Sequence, residues 1–427
     1  MRRSHVTAIL PLLLLPRLAS PQGEPLGPEF RVNTVVPFSQ GRSSAASIAG
    51  DFVVVWTGQF ADGYGVGGPG IVGQRFDSAG NPLGVEFRVN TYTPGPQLRP
   101  AVGANASGTF VVVWDYGYSC APPCPPPTGY KVFGQRFAAS GVPLGPEFVV
   151  SPTGASYQRY PEVAVAPSGA FLVIWRAQFS QAPPGPADVF ARRYDSSGVP
   201  QGPEFRVNAY TTGEQIAGSV TADRAGDFVV VWTSQYYGSN GYDVVGQRYA
   251  PSGDPLGPQF RVNTYAPGDQ TDPGMATDPF GNFVVAWSSE SSGNPPAPGL
   301  FGQRFAPGAV PIGSEFRINT DPTGTQDQPA IAFDGGGNFV ISWHAPSIGT
   351  GEVFGQRYSS TGVPSGPEFR VNTTTGGWQR NPSVASNPGG IFLVTWDSGP
   401  PGLIPEDVFG QRFGGVFPVE LQDFRLK

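Results

Sequence analysis

The chain has 427 residues with 26 basic and 32 acidic side chains, and only two of the bases, Lys131 and Lys427, are lysine. No basic stripe exists to gather phosphates, which excludes nucleic acid as a partner. Beyond the first residues the one histidine is His344, which excludes a histidine-based triad or a hydrolytic zinc site.

At the N-terminus, Arg2 and Arg3 precede an apolar stretch from Val6 to Leu15, closed by Arg17, Leu18, Ala19 and Ser20. That order reads as a signal peptide over residues 1–22, too short to span a bilayer. The remainder is expected to be secreted or extracellular, with no membrane span and with cell-surface association possible only through its ends. Cys120 and Cys124 are the sole cysteines, and after export they are expected to form a local disulfide.

From residue 23 to 416 one unit of about 57 residues repeats seven times. Each copy places a glycine six residues before a tryptophan, at Trp56, Trp114, Trp175, Trp232, Trp287, Trp343 and Trp396. Four strand-like stretches follow one another in every copy. The first is short and built of small and β-branched residues, as at Ala101, Val102 and Gly103. The second, Phe-Val-Val-Val-Trp or a relative, is apolar throughout and should be covered on both faces. The third reads Val-Phe-Gly-Gln-Arg-Phe and the fourth Glu-Phe-Arg-Val-Asn, and both alternate with a period of two. Glycine (60) and proline (48) sit at constant offsets between these runs, so they mark turns rather than disorder.

A sheet of four strands cannot bury its faces alone, so copies must stack, and radial stacking gives a propeller. The expected fold is all-β: a seven-bladed β-propeller of four-stranded antiparallel blades. The ends suggest how it closes. An orphan fourth-strand motif, Glu29 to Asn33, precedes the first complete unit, and the last unit, ending at Phe413, lacks one. Pairing the two closes the ring by an N-terminal strand and removes two free edges.

The succession Glu-Phe-Arg-Val-Asn-Thr, Gln-x-x-Pro, Gly-x-Phe-Val-Val-Val-Trp and Val-Phe-Gly-Gln-Arg-Phe resembles a repeat of secreted or surface proteins of bacteria without assigned function. The resemblance implies an extracellular propeller and carries over no catalytic residues. Residues 417–427 form a C-terminal tail similar to linkers that precede attachment segments in such proteins.

The periodic polar residues read as scaffold. A Glu such as Glu86 should meet an arginine across the strands, the linkage glutamines should satisfy backbone groups between units, and each indole N–H should reach a neighbouring carbonyl. The loops from second to third strand vary in length and gather on one face, the usual geometry of a binding face. Tyr64, Tyr116, Tyr130, Tyr236 and Tyr242, with Asp62 and Asp243, are the candidate contacts there, and Trp378 is added because it occupies a link where no other copy has tryptophan. Tyrosine beside carboxylate suits carbohydrate or peptide. The expected function is an extracellular binding or structural scaffold, monomeric and non-catalytic, whose partners would be a polysaccharide or another surface protein. The alternative is a glycan-active hydrolase or lyase using loop carboxylates near the channel mouth. No cofactor is expected, and Asp223, Asp278 and Asp334, recurring before the second strand, leave weak structural calcium as an option.

Overall fold

The structure, a computed structural model, describes residues 24–35, 39–58, 68–93, 95–117, 129–151, 157–179, 186–235, 241–265, 268–290, 298–321, 324, 326–347, 350–399 and 406–414. All regular structure among them is β. The ladders form three sheets of four strands and two of eight. Each larger sheet is two four-stranded units joined by one parallel bridge, Tyr130 with Tyr157 in one case and Gly351 with Trp378 in the other. Among the described residues the sheets remain separate, and no ladder closes on itself.

Within a unit the strands run antiparallel in sequence order, as in Gln97–Ala104, Phe110–Gly117, Tyr130–Phe137 and Phe148–Val149. The fourth strand is two residues long in most units, shorter than its motif. Its closing Asn leaves the ladder, because the side chain is used to cap the third strand: Asn90, Asn208, Asn263, Asn319 and Asn372 each accept a backbone N–H there at 2.8 Å. At the start of the chain Phe30–Arg31 pairs with Asp407–Phe413, Phe30 opposite Gly410, and Asn33 caps Val408 at 2.8 Å.

The all-apolar second strand is buried on both faces, and its period of two sends alternate residues to different neighbours. In Asp51–Gly58, Val53 and Val55 pack with Phe110, Val112 and Trp114 of the next unit. Phe52, Val54 and Trp56 pack instead with Val32, Leu393 and Val408, which come from the two ends of the chain. The seven tryptophans that end the second strands are buried to 1% exposure or less. Six donate the indole N–H to a linkage glutamine of their own unit, for example Trp114 to Gln97 at 2.7 Å and Trp287 to Gln270 at 2.9 Å. The acceptor is thus a side-chain amide and not the carbonyl expected from sequence; the two most regular residues of the repeat serve each other.

The recurrent charges also differ from expectation. Glu86 does not reach an arginine; its carboxylate accepts the Thr34 amide, as Glu147 accepts Thr91 at 2.7 Å and Glu315 accepts Thr264 at 2.8 Å. A fourth-strand Glu therefore clasps the end of the preceding fourth strand, where free amides await an acceptor. Glu29 does the same to Thr373 at 2.6 Å. Third-strand arginines point the other way, to carbonyls in the next unit's turn: Arg75 to Ser140 at 2.7 Å, Arg193 to Pro251 at 2.9 Å, and Arg412, near the end of the chain, to Ser78 at 2.8 Å.

Candidate functional site

All seven first strands contribute to the wall of one cavity of about 500 Å³. Each of them carries a bulge at the same place, where the register with the second strand slips: between Leu98 and Ala101, Arg159 and Glu162, Thr271 and Gly274, and at the matching positions elsewhere. In six units the residue at the bulge is not glycine yet holds a left-handed backbone. These are Arg42 (φ 55), Arg99 (φ 52), Tyr160 (φ 56), Asp272 (φ 52), Gln328 (φ 55) and Asn381 (φ 51). All six line the cavity. A side chain at such an angle costs of order 1 kcal/mol each, and strain of this kind gathers where a structure must aim a group.

The bulge pulls a backbone amide out of the ladder, and a side chain of the preceding unit receives it. Arg99 N donates to Thr57 Oγ1 at 3.1 Å, Tyr160 N to Asp115 Oδ2 at 3.3 Å, and Asn381 N to Gln328 Oε1 at 3.0 Å. Arg42 N donates to Asp397 Oδ2 at 2.8 Å, which links the first complete unit to the last.

Electrostatics divide the rim. Asp115 is fully buried and grips Arg99 Nη1 at 2.8 and 3.0 Å; burial raises its carboxyl, and the guanidinium opposes that rise. Asp397 is buried and held at about 6, mainly by desolvation, against hydrogen bonds from Arg42 N and Asn381 Nδ2. Glu162 is half-buried in the cavity wall, and desolvation there pushes its carboxyl up to about 7. Asp272 is raised as well, by desolvation first and then by the charges of Asp327 and Glu290. Guanidinium groups cover aromatic rings beside the cavity: Arg99 lies 4.8 Å from the Tyr160 centroid, and Arg159 lies 5.4 Å from Tyr160 and 4.1 Å from Tyr130.

The residues singled out from the variable loops fall elsewhere. Tyr64, Tyr236, Asp62, Cys120 and Cys124 lie outside the described residues. Tyr116 is buried, packed edge-on against Tyr92 and Phe133, so it offers no ring to solvent. Asp243 is also buried, because it anchors the capping Asn263 at 2.8 Å. Asp188 and Asp407 hold Asn208 and Asn33 in the same way, so these loop-edge acids belong to the scaffold. Tyr130 is half-buried against Tyr157 with ring centroids 5.7 Å apart, and Tyr242 is half-buried with its amide given to Asp269 at 3.0 Å. Trp378 is half-buried over Gly399, with the Arg380 guanidinium 4.0 Å above its ring. None of these lines the cavity. Asp278 and Asp334 spend one carboxylate oxygen each on amides of their own turn, Phe280 and Asn282 in one case and Gly336 and Asn338 in the other.

The bulge residues were missed in the sequence although the signal was present. In the five copies that read Gln-x-x-Pro, the Gln and Pro recur while the residue before the Pro changes each time: Arg99, Tyr160, Asp272, Gln328 and Asn381.

No protein-family model and no curated protein matches the sequence. The fold does match solved structures. One is a protein of unknown function from Dyadobacter fermentans, with TM-score 0.55 and 10% identity, covering 91% of this chain and 98% of that one. The polysaccharide lyase Uly1 aligns with TM-score 0.53 and 11% identity over 93% of this chain and 94% of its own. The β-propeller domain of the Trilobed protease from Pyrococcus furiosus, with an open velcro topology, aligns with TM-score 0.50 and 9% identity over 92% and 100%. The chain thus has a β-propeller fold built of antiparallel sheets. Among the described residues no helix is long and apolar enough to cross a membrane.

Proposed function

We propose that this chain is an exported, seven-bladed propeller, closed by its N-terminal strand at residues 29–33, that binds carbohydrate without catalysis at the cavity on its axis. The observation that carries the reading is the contrast within one motif: in five of the copies Gln and Pro flank the bulge, and the residues displayed there, Arg99, Tyr160, Asp272, Gln328 and Asn381, are all different. A set of unlike polar groups around one cavity of about 500 Å³ suits a polyhydroxylated ligand, which needs donors and acceptors in several directions at once. Ring closure is supported by three links between the chain's ends and their neighbours: the pairing of Phe30 with Gly410, the Arg412 bond to Ser78 and the Glu29 bond to Thr373. A polysaccharide lyase among the proteins of similar fold agrees with glycan contact. Residues 1–22 serve as the export signal in this reading, and the loop cysteines pair.

The test is a calorimetric screen of the protein against neutral, acidic and amine-bearing oligosaccharides. Tyr160→Ala and Gln328→Ala should each weaken whichever sugar binds by about tenfold, the effect of losing one good polar or stacking contact. Binding that ignores both substitutions would refute the axial site.

One observation favours a second reading, a glycan-active enzyme. A carboxyl held at about 7, as Glu162 is, suits a general acid. A hydrolase would also need a partner carboxylate about 5 to 10 Å away. Release of reducing or unsaturated ends from a polysaccharide, abolished by Glu162→Gln, would favour the enzyme.

A further inference from the structure

We propose that the sugar bound at the axial cavity is acidic, its oxyanion held by the Arg159 guanidinium at the edge of the cavity beside Tyr160. This rests on the carbohydrate reading above and deepens it by fixing the charge of the ligand.

Two copies of the repeat place an arginine directly after the linkage glutamine, Arg159 in the third and Arg380 in the seventh. Their surroundings are opposite. Arg380 Nη2 donates to Glu406 Oε1 at 2.8 Å, and the residue across the ladder from Arg380 is Asp397. In the third copy Ala187 stands where the seventh has Glu406, and the residue across the ladder is Arg176, itself paired with Glu214 at 2.7 Å. Both carboxylates are thus replaced. Among the described residues Arg159 makes no hydrogen bond or ion pair; its Nε is buried without a partner, and the half-buried side chain leaves the terminal nitrogens open to solvent. Asp115 lies close enough to feel its charge, but both oxygens are taken by Arg99 and one also by the Tyr160 amide.

The guanidinium is nonetheless held in place. It lies 4.1 Å from the Tyr130 centroid and 5.4 Å from that of Tyr160, contacts that fix its position and leave its charge uncompensated. A group placed before the ligand arrives loses less freedom on binding, and a planar guanidinium can grip an oxyanion with two parallel bonds. Tyr160 connects this point to the cavity, because it is 40% exposed and lines the wall. An anion on Arg159 therefore belongs to a ligand that reaches the axis. The nearest opposing acid along the strand is Glu162. No arginine is among the charges acting on it, and with its carboxyl raised to about 7 by desolvation it repels little in mildly acidic solution.

The experiment titrates the full chain by calorimetry, in mildly acidic buffer, with equal-length oligosaccharides of galacturonate, its methyl ester, sulfated galactose and galactose. Galacturonate against its ester tests a carboxylate, and sulfated against plain galactose tests a sulfate ester. The anionic member of at least one pair should bind at least about tenfold more tightly than its uncharged counterpart, and the pair that shows the advantage identifies the anion. Arg159→Gln should remove the advantage and leave the weaker binding of the uncharged oligomer in place. Lys131→Gln should change the ratio by less than about twofold, since Lys131 is an exposed charge next to Tyr130 whose side chain points to the other face of the strand. If neither anionic oligomer outbinds its counterpart, the acidic assignment falls and the carbohydrate reading stands. An advantage that survives Arg159→Gln, or that Lys131→Gln removes equally, also overturns it. The paired sugars need no variant, so they decide even if Arg159→Gln does not fold. If no sugar binds, the carbohydrate reading itself fails.

Discussion

Two parts of each unit sit a few residues apart and obey opposite rules. The buried frame of tryptophan, linkage glutamine, third-strand arginine and fourth-strand glutamate repeats almost unchanged, because every junction between neighbouring sheets poses the same packing and hydrogen-bonding problem. The bulge next to that frame repeats its backbone and varies its side chain. A residue repeated in every copy faces a neighbour; the residue that varies most from copy to copy faces the shared cavity. The difference separates what holds the molecule together from what it presents.

The sharpest way to break this comparison is to damage the frame. Trp287→Ala should cost about 3 to 5 kcal/mol, since it empties a fully buried site between sheets, and denaturant unfolding would read the loss. A cost under about 1 kcal/mol would deny the frame its role. Gln270→Ala, which leaves the Trp287 indole N–H buried and unpaired, should cost about 1 to 3 kcal/mol. Similar losses are expected for Arg412→Ala, whose bonds to Ser78 and Leu26 tie the end of the chain to its beginning; a neutral result would mean that this seam adds nothing.

Acid titration sharpens the picture from the other side. Glu162, at about 7, and Asp397, at about 6, bind their protons more tightly folded than unfolded. Their contribution is therefore fully present below the unfolded values, near pH 4, and is lost as pH rises through the folded values. Stability should decline between roughly pH 4 and 7, and Glu162→Gln should flatten the upper part of that decline by about 1 to 2 kcal/mol, a figure reduced for solvent screening because the group is only half-buried. Thermal unfolding across this range checks the sign; a curve that rises toward neutrality would contradict it.

The smallest expected effect on stability is at the bulge. Asp272→Gly relieves a left-handed backbone and should raise stability by up to about 1 kcal/mol while weakening ligand binding. A frame residue would show the opposite sign.

Much of the frame was legible in the sequence because its physics is local and repeated. The apolar second strand, the alternation of the third and the orphan motif at Glu29 each carry a pattern that one chain displays. Pairings across units were not legible. Nothing in the spacing says that Trp114 donates to Gln97, or that Glu86 clasps Thr34 instead of an arginine, since those contacts depend on how neighbouring sheets are offset. Two of the loop candidates lie differently from expectation for a related reason. Tyrosines and acids in variable loops look exposed in a sequence, yet Tyr116 turns inward against Phe133 and Asp243 is spent on Asn263. The varying residue before proline was visible throughout, but its direction follows from a bulge that only the backbone reveals.

The most direct measurement pairs Asp272→Gly with Tyr160→Ala in one protein and titrates it with the oligosaccharide that binds the unaltered chain most tightly. If the cavity at the centre of the repeats is the working surface, affinity falls by at least about tenfold while the unfolding temperature is kept or raised. Undiminished affinity in this variant, with binding lost instead when Tyr130 or Trp378 is replaced by alanine, would move the function to the outer loops and contradict the account.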